Sequence, residues 1–417
     1  IPCLLFTSES AGESVACLYS LLEKRVYKLT LPEPPIRSRF LIGSTVGWLV
    51  TVDERSEIEM HLLNPITGEQ IALPSVHSYE YSRRTANQVL RTRDLGFLPV
   101  LFHRKAFVFF DTSTGSFIVV LIHRLASQLS FSRDEKWTRL PPHTSGYEDC
   151  TYKDGLLYAV SLSGEIHAFD LSGPAVTTKI IMGTPHDFDC ESMYIVQAPW
   201  GDLLLVWRAK DFDFEDHDPD ADPATLVVNT EQIKMYKVDT DVKRLVEINF
   251  LHDHVLFLGL GQSLCLNTEE YPSLNANHAY FTDDDQYQAC RKNNRRDIGV
   301  LDLGNNRREN LVSPQLWSNW PTPVCAAATP SFPLTVVAGG NSLTLPSAGV
   351  GAPPPPAGSG ATAPPVDGSV KACDATSDRS RLAAGLRQGC SGAALRVGIC
   401  RRLLCLATDS LILASLR

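Results

Sequence analysis

The chain has 417 residues, of which 44% are hydrophobic, so it can bury the core of one large domain or of two ordinary ones. Its formal net charge is -9 at pH 7, and a surface that is negative on average repels a phosphate backbone. We therefore expect no nucleic acid as partner, and because no apolar run of ~18 residues occurs we expect no membrane association either.

The cysteines predict neither a disulfide framework nor a metal centre. The 11 cysteines are scattered, and no CxxC pair or Cys/His run at zinc spacing occurs. An odd number at irregular spacing favours reduced thiols, which are typical of the cytoplasm and the nucleus. We therefore expect a cytoplasmic or nuclear protein, and we predict no cofactor.

The first part of the chain reads as β-hairpins laid end to end. Its predicted strands lie at residues 18–21, 25–29, 48–52, 58–63 and 70–73. The turn before the last of these has a physical cause, because Asn64 can bond its own backbone, Pro65 presets φ and Gly68 tolerates a positive φ. The chain is therefore predicted to reverse at residues 64–68.

The same unit, an apolar strand, a small or acidic turn and a second apolar strand, recurs along the chain. Its later copies lie at residues 108–119, 166–173, 233–240 and 298–304. Further β-rich pairs precede the copies, most clearly residues 151–160 with Asp154-Gly155 as a tight turn, and residues 193–207 with a turn at 198–201. Four short strands per unit are typical of a sandwich, a barrel or a propeller. Repetition near the ~40–50 residue period of a blade selects an all-β propeller of five to seven four-stranded blades.

Three segments break the pattern of strands. Residues 78–92 lack a helical period and are interpreted as an inter-strand loop, and residues 211–223 form an acidic, Pro-containing loop. Beyond Val324 the chain is rich in Pro, Ala, Gly and Ser, and no aromatic residue follows Phe332. Such a composition cannot bury enough apolar surface to offset the entropy of ordering. We therefore predict a propeller domain at residues 1–324 and a disordered, low-complexity tail at residues 325–417.

Five phrases carry a resemblance to a known plant family. They lie, in the family's order, at residues 47–51, 61–68, 152–159, 272–283 and 291–300. On these phrases, residues 1–324 resemble the grass members of the family of domain of unknown function 295, a kelch-like β-propeller usually found behind an N-terminal F-box. The resemblance implies a substrate-recognition subunit of a cullin-type ubiquitin ligase, in which the F-box docks the Skp adaptor and the propeller holds the target protein.

The chain departs from the family pattern at both ends. No F-box helices precede Ile1, so a Skp adaptor is an expected partner only if an F-box lies upstream. The relatives end soon after the phrase at residues 313–321, whereas this chain continues to Arg417. The Arg-, Ala-, Gly- and Pro-rich extension has the composition that a shifted reading frame or a retained intron in GC-rich DNA would encode, and we favour that interpretation over a functional tail.

Three clusters of metal-ligating or nucleophilic residue types are interpreted as structural. His252-Asp253-His254 could place two imidazoles on one face of a strand, but no third ligand stands at a convincing spacing, so a polar turn is favoured. The acidic residues 211–222 lack the Gly and the Glu that an EF-hand loop requires. Residues 186–191 bring His, Cys and carboxylates together in sequence only, which does not lower the pKa of a thiol. We predict no catalytic, cofactor-binding or metal-ligating residue.

Two further motifs and the tryptophans are interpreted in the same way. Residues 259–263 do not complete a G-x-G-x-x-G motif and are predicted to form a hairpin turn. The basic residues 291–296 follow Asp283-Asp284-Asp285, and local charge pairing is favoured over nuclear import or phosphate binding. Most tryptophans are expected in the core, with one or two exposed as anchors for a partner. They are Trp48, Trp137, Trp200, Trp207, Trp317 and Trp320.

The favoured function is a non-catalytic, protein-binding propeller whose loop face is the contact surface. Two alternatives stay open at this point. One is an enzyme that uses the central channel, with carboxylates or histidines converging from several blades onto a lined pocket. The other is a degenerate family member without ligase activity. Propellers host many functions, so the fold alone does not choose between these hypotheses.

Overall fold

The structure, a computed structural model, describes residues 2–45, 47–54, 59–74, 103–111, 114–123, 128–133, 136–173, 175–185, 192–212, 228–285, 292 and 294–327. The chain divides into two compact units, Ile1–Leu343 and Thr344–Arg417, and the described residues lie in the first. The predicted loop at residues 78–92 and the predicted tail beyond residue 327 lie outside the described residues. Those interpretations therefore stay predictions.

Over the described residues the strands form six sheets, which are the blades of a β-propeller. Blade 1 contains β1 (Pro2–Phe6), β2 (Val15–Ser20), β3 (Arg25–Thr30) and the last strand, β25 (Val324–Ala327). Blade 2 contains β4 (Arg39–Thr45), β5 (Trp48–Asp53), β6 (Met60–Leu63) and β7 (Gln70–Ala72). Blade 3 contains β8 (His103–Asp111), β9 (Ser116–His123), β10 (Leu129–Ser132) and β11 (Thr138–Arg139).

The remaining blades follow in chain order. Blade 4 contains β12 (Tyr147–Lys153), β13 (Leu156–Ser161), β14 (Ile166–Asp170) and β15 (Thr177–Met182). Blade 5 contains β16 (Ser192–Gln197), β17 (Leu203–Phe212), β18 (Val228–Asp239) and β19 (Arg244–Ile248). Blade 6 contains β20 (His254–Leu258), β21 (Leu264–Asn267), β22 (His278–Phe281), β23 (Gly299–Asp302) and β24 (Arg307–Glu309). The prediction of an all-β propeller is confirmed.

Helices are a minor part of the described chain. Two short 3₁₀ helices, Glu9–Ala11 and Ile36–Ser38, occur in the described residues. Neither is long or apolar enough to span a bilayer, and the described residues contain no other helix that could do so. The body of the molecule is therefore held together by strands.

Local turn chemistry sets the hairpins that the sequence predicts. Asp154 and Gly155 have φ values of +50° and +82°, as a type I′ turn requires, and they join β12 to β13 with Lys153 opposite Leu156. The Asn64 side-chain oxygen accepts from the Ile66 and Thr67 amides where the chain reverses between β6 and β7. The predicted turns at both places are confirmed.

Blade 1 closes the ring, because it takes strands from both ends of the described chain. β25 pairs antiparallel with β1, with Leu4 opposite Cys325 and Leu5 opposite Val324. This pairing covers the backbone edge that β1 would otherwise expose. Residues 325–327 therefore belong to the closing strand, and the predicted boundary at residue 324 falls inside that strand.

Blade 6 differs from the predicted unit of four antiparallel strands. Its strand order is β21-β20-β22-β23-β24, and β20 pairs parallel with β22. A parallel pair needs a crossover connection, which β21 and residues 268–277 supply here. Turn signals in a sequence mark where a chain reverses but not which strand it pairs with, so this arrangement was not predicted.

Apolar side chains of neighbouring blades pack against each other. One buried cluster joins Tyr194 and Leu204 of blade 5 to Leu256 and Phe281 of blade 6. Another contains Phe107 of blade 3, together with residues of blade 4. Because burial of apolar area is the main favourable term in folding, each blade depends on its neighbours for a core.

Residues 259–263, which connect β20 to β21, cross the axis of the propeller. The Gln262 amide donates to the Ser44 carbonyl oxygen of blade 2 at 2.7 Å. The Ser263 hydroxyl donates to Asp149 Oδ2 of blade 4 at 3.1 Å. Neither blade is next to blade 6 in the ring, so the segment must reach across the centre to make both contacts. The predicted hairpin turn is confirmed. Its position on the axis was not predicted from the sequence.

The close fit of this segment predicts that Gly261→Ala destabilises the propeller by about 1–3 kcal/mol. A Cβ at position 261 would lie 2.0 Å from Ser44 Oγ and 2.9 Å from the Ser44 carbonyl oxygen, so β4 would have to move. Urea unfolding of the two proteins measures the loss. At Gly183 a Cβ would meet no atom within 4 Å, so Gly183→Ala is the matched control and should unfold like the unmodified chain. Identical midpoints for the two variants would contradict the tight packing of the axis.

Candidate functional site

The axis holds a buried ion pair between the inner strands of blades 3 and 4. Lys105 Nζ lies 2.9 Å from Asp149 Oδ1, and the two side chains are 5% and 0% exposed. Asp149 Oδ2 accepts from the Ile195 amide of blade 5 at 3.0 Å and from the Ser263 hydroxyl. Burial raises the pKa of the Asp149 carboxyl, and the charge and hydrogen bond of Lys105 oppose that rise. One carboxylate therefore ties four blades together at the centre of the ring.

A second buried network lies between blades 5 and 6, with Arg208 at its centre. The guanidinium is fully buried and donates to Thr230 Oγ1, the Tyr194 hydroxyl, the Thr282 carbonyl oxygen and Asp297 Oδ2, all at 2.7–3.0 Å. Two more cations join it, because Lys210 Nζ lies 3.3 Å from Asp284 Oδ1 and Arg308 Nη1 lies 2.9 Å from Asp297 Oδ1.

The carboxylates of this second network stay ionised because cations surround them. Burial alone would raise the pKa of Asp284, but the charges of Lys210 and Arg208 outweigh it and hold that pKa well below its usual range. The pKa of Asp297 is lowered in the same way, by Arg208 and Arg308 against burial. Nearby Asp283 is different: burial raises its pKa to about 6 even though Arg296 lies beside it.

These ionisable groups converge from several blades, as an axial active site would require, and they are buried and paired with each other. The cavity beside residues 259–262 has a volume of ≈ 10 Å³, room for about one water molecule. Each charged group of the two networks faces an opposite charge at 2.9–3.4 Å. In chemical terms the described axis is a packed polar core.

A different polar cluster lies at one end of blade 4, where a single carboxylate contacts two histidines. His143 Nε2 lies 3.2 Å from Glu165 Oε2, and His167 Nε2 lies 2.8 Å from Glu165 Oε1. The Tyr147 hydroxyl is 2.6 Å from His167 Nδ1. Burial would raise the pKa of Glu165, but its hydrogen bonds to the two histidines lower it overall. His143, Glu165 and His167 form the one group in the described residues whose ligand atoms could converge on a metal ion.

The other notable surface surrounds Trp200, in the turn between β16 and β17. The indole is 45% exposed, its Nε1 donates to Asp202 Oδ2 at 2.9 Å, and its ring meets the His254 ring edge-on at 4.8 Å. Asp202 is also paired with Lys237 Nζ at 2.9 Å. An exposed aromatic ring is thus fixed in one orientation by its neighbours.

More exposed apolar side chains accompany Trp200. Phe250 is 59% exposed and lies just before the turn that carries His254, and Val242 is 60% exposed in the turn between β18 and β19. Antiparallel strands place the β16–β17 and β18–β19 turns at the same end of blade 5. We call the surface formed by Trp200, Val242, Phe250 and His254 the Trp200 face. The His143 cluster lies at the other end of the strands, where β12 begins and β13 ends.

The sequence-predicted site residues are placed separately and do not form one site. His252 has φ +49° in an exposed turn, as the polar-turn interpretation expects, and His254 begins β20. In the basic segment, Arg296 pairs with Asp283 at 3.4 Å and Lys292 pairs with Glu54 at 2.6 Å, which agrees with the charge-pairing interpretation. Asp211 and Phe212, which were assigned to the acidic loop, are the last residues of β17, so the loop begins later than predicted. Residues 186–191 and 213–223 lie outside the described residues.

Trp137 and Trp320 are buried, Trp48, Trp207 and Trp317 are partly buried, and Trp200 is exposed. One exposed tryptophan was expected, but only two of the six are fully in the core. The His143 cluster, in contrast, was missed. Glu165 and His167 are two apart, which on a strand places them on one face and was a usable signal. Nothing in the sequence shows that His143 and Tyr147 pack against that face.

Comparison with known proteins identifies relatives of this propeller. A family model described as KIB1-4 beta-propeller matches residues 18–302. Among curated proteins of Arabidopsis thaliana, a putative F-box protein, At5g55150, is 22% identical over 295 residues, which are 68% of this chain and 74% of that protein. F-box protein KIB4 is 22% identical over 285 residues, 61% of this chain and 66% of that protein. F-box protein At4g35733 is 23% identical over 282 residues, 65% of this chain and 73% of that protein.

Proposed function

Because this chain belongs to the KIB1-4 beta-propeller family, we propose that it is a non-catalytic receptor that binds a protein partner on the Trp200 face. The observation that carries the proposal is the exposed, immobilised indole of Trp200, whose ring packs edge-on against His254. Rigid aromatic side chains lose little entropy on binding and are enriched among the residues that dominate protein interfaces. The ion pairs at the axis support the non-catalytic part, since buried charges held in pairs are not free to act on a substrate.

The finer assignments rest on the relatives. We propose that the partner is a target for ubiquitination, because the similar Arabidopsis proteins are named as F-box proteins. A Skp adaptor would join only through an F-box upstream of Ile1. The phrases at residues 47–51 and 272–283 favour the grass members of domain of unknown function 295 as the nearer group, and the irregular cysteines favour the cytoplasm or the nucleus.

Substitution of Trp200 tests the receptor proposal. The immobilised full chain and its Trp200→Ala variant are each exposed to plant extract, and captured proteins are quantified by mass spectrometry. Loss of an interface hot spot costs at least about 2 kcal/mol, roughly a thirtyfold change in affinity, so the true partner should be depleted on the variant. The dissociation constants of the recombinant partner for both proteins then measure the change directly. Phe250→Ala should weaken the same partner.

The matched control is Leu162→Ala, which removes an exposed apolar side chain from the β13–β14 turn of blade 4. That turn lies at the end of the strands opposite to the Trp200 face. It should retain the partner fully. If every captured protein binds equally to the unmodified chain and to Trp200→Ala, the Trp200 face is not the binding surface. If no protein is enriched over a blank support, the degenerate alternative is favoured.

A further inference from the structure

We propose that His143, Glu165 and His167 form a binding site for one zinc-type divalent metal ion. One nitrogen from each histidine and one carboxylate oxygen lie within 4.8 Å of one another. Two imidazoles and one carboxylate are a ligand set that zinc takes when three protein groups leave a fourth position open. The proposal does not depend on the receptor function, because the cluster lies away from the Trp200 face.

The three ligands are held in place by contacts outside the cluster. Gln128 fixes the His143 backbone twice, since its Nε2 donates to the His143 carbonyl oxygen at 3.0 Å and its Oε1 accepts from the His143 amide at 3.1 Å. The Ser161 hydroxyl accepts from the Glu165 amide at 3.0 Å. Tyr147 lies against His167 Nδ1 and stays a neutral hydroxyl, because burial raises its pKa. Hydrogen bonds of this kind orient histidines that bind metals through their other nitrogen.

The cluster is partly open to solvent, as a site that exchanges metal must be. The side chains of His143, Glu165 and His167 are 14%, 17% and 6% exposed. A metal held by the three side chains would face solvent on the side of His143 and Glu165 and would take water there. The ion would link the connection before β12 to the turn between β13 and β14, and so stabilise one end of blade 4.

Metal binding requires one proton on each histidine to change position, because both Nε2 atoms donate to the Glu165 carboxylate without the metal. The Ser145 amide donates to His143 Nδ1 at 3.2 Å, so the neutral ring carries its proton on Nε2, which faces Glu165. A metal at Nε2 would move that proton to Nδ1, and the Ser145 amide would have to turn to water. The His167 proton must likewise move from Nε2 to Nδ1, but there it keeps a partner, because Nδ1–H can donate to the Tyr147 oxygen. Both histidines should therefore change tautomer when the metal binds, and only His143 loses a hydrogen-bond partner by doing so.

Titration of the full chain with zinc tests the site. Isothermal titration calorimetry should show one zinc bound per chain, and cobalt added in its place should give the visible absorption of a four-coordinate site. Tyr147→Phe removes only an outer-shell hydrogen bond and should weaken zinc binding by about tenfold to a hundredfold. His143→Gln and Glu165→Gln remove ligands and should weaken it further.

The control is His278→Gln, which changes a histidine at the start of β22 whose Nδ1 lies 2.7 Å from the Ala276 carbonyl oxygen. It should bind zinc as the unmodified chain does. Equal affinity in His143→Gln and the control would show adventitious binding at surface histidines and overturn the proposal. Imidazole ¹⁵N spectra recorded with and without zinc give a second test. If zinc leaves the tautomer of His143 unchanged, the proposal is also overturned, because a hydrogen-bonded cluster without metal keeps the proton on Nε2. Circular dichroism confirms that each variant is folded.

Discussion

Replacing Asp297 with Asn is expected to destabilise the propeller by about 3–5 kcal/mol, a large part of the ~5–15 kcal/mol that is typical of a folded domain. The change keeps the shape of the side chain and removes one negative charge. Asp297 is 3% exposed, and its carboxylate accepts from Arg208 at 2.9 Å and from the Thr230 hydroxyl at 2.6 Å. Without that charge, the buried Arg208 and Lys210 share a single carboxylate, Asp284. One buried cation is then left without a counter-charge.

Urea unfolding followed by tryptophan fluorescence measures this loss. Asp253→Asn is the control, because Asp253 is exposed in the turn before β20 and its substitution removes the same charge from the surface. The control should unfold within experimental error of the unmodified chain. If Asp297→Asn also unfolds like the unmodified chain, the Arg208 network is hydrated and does not hold blades 5 and 6 together.

The parts of the fold that could be predicted from sequence are those whose cause is local. Asp154-Gly155 specifies its own turn, and Asn64 binds the amides two and three residues on, so these hairpins need no knowledge of the rest of the chain. The repeat of such hairpins was enough to predict a propeller. The repeat predicted only a range of blade numbers, because the connections differ in length and the spacing between copies is therefore irregular.

The parts that could not be predicted depend on contacts between residues far apart in sequence. Arg208 lies 89 residues before Asp297, and Ser263 lies 114 residues after Asp149, so no local pattern marks either pair. A charged residue in a strand such as β17 is usually expected to face solvent, so the sequence gives no sign that Arg208 is buried. An exposed tryptophan was expected from the sequence. Only the structure shows that the exposed one is Trp200 and that its ring packs against His254.

The buried pair at the axis allows a second prediction, made as a double-mutant cycle. Lys105→Met and Asp149→Asn are each expected to cost about 3–5 kcal/mol, because either change leaves one buried charge unpaired. The double variant should lose much less than the sum, with a coupling energy of about 2–3 kcal/mol, near the upper end for residues in contact. Unfolding free energies of the four proteins, measured in urea at neutral pH, give that coupling.

Lys237 and Asp202 provide the matched comparison, because they are the same residue types at the same separation of 2.9 Å on the surface. Their side chains are 45% and 30% exposed, whereas those of Lys105 and Asp149 are 5% and 0% exposed. Water and salt screen the exposed pair, so the cycle Lys237→Met with Asp202→Asn should give a far smaller coupling, one that falls further as salt is added. Equal couplings for the two pairs would mean that water reaches Lys105 and Asp149. The axis at these two residues would then be hydrated and not a packed polar core.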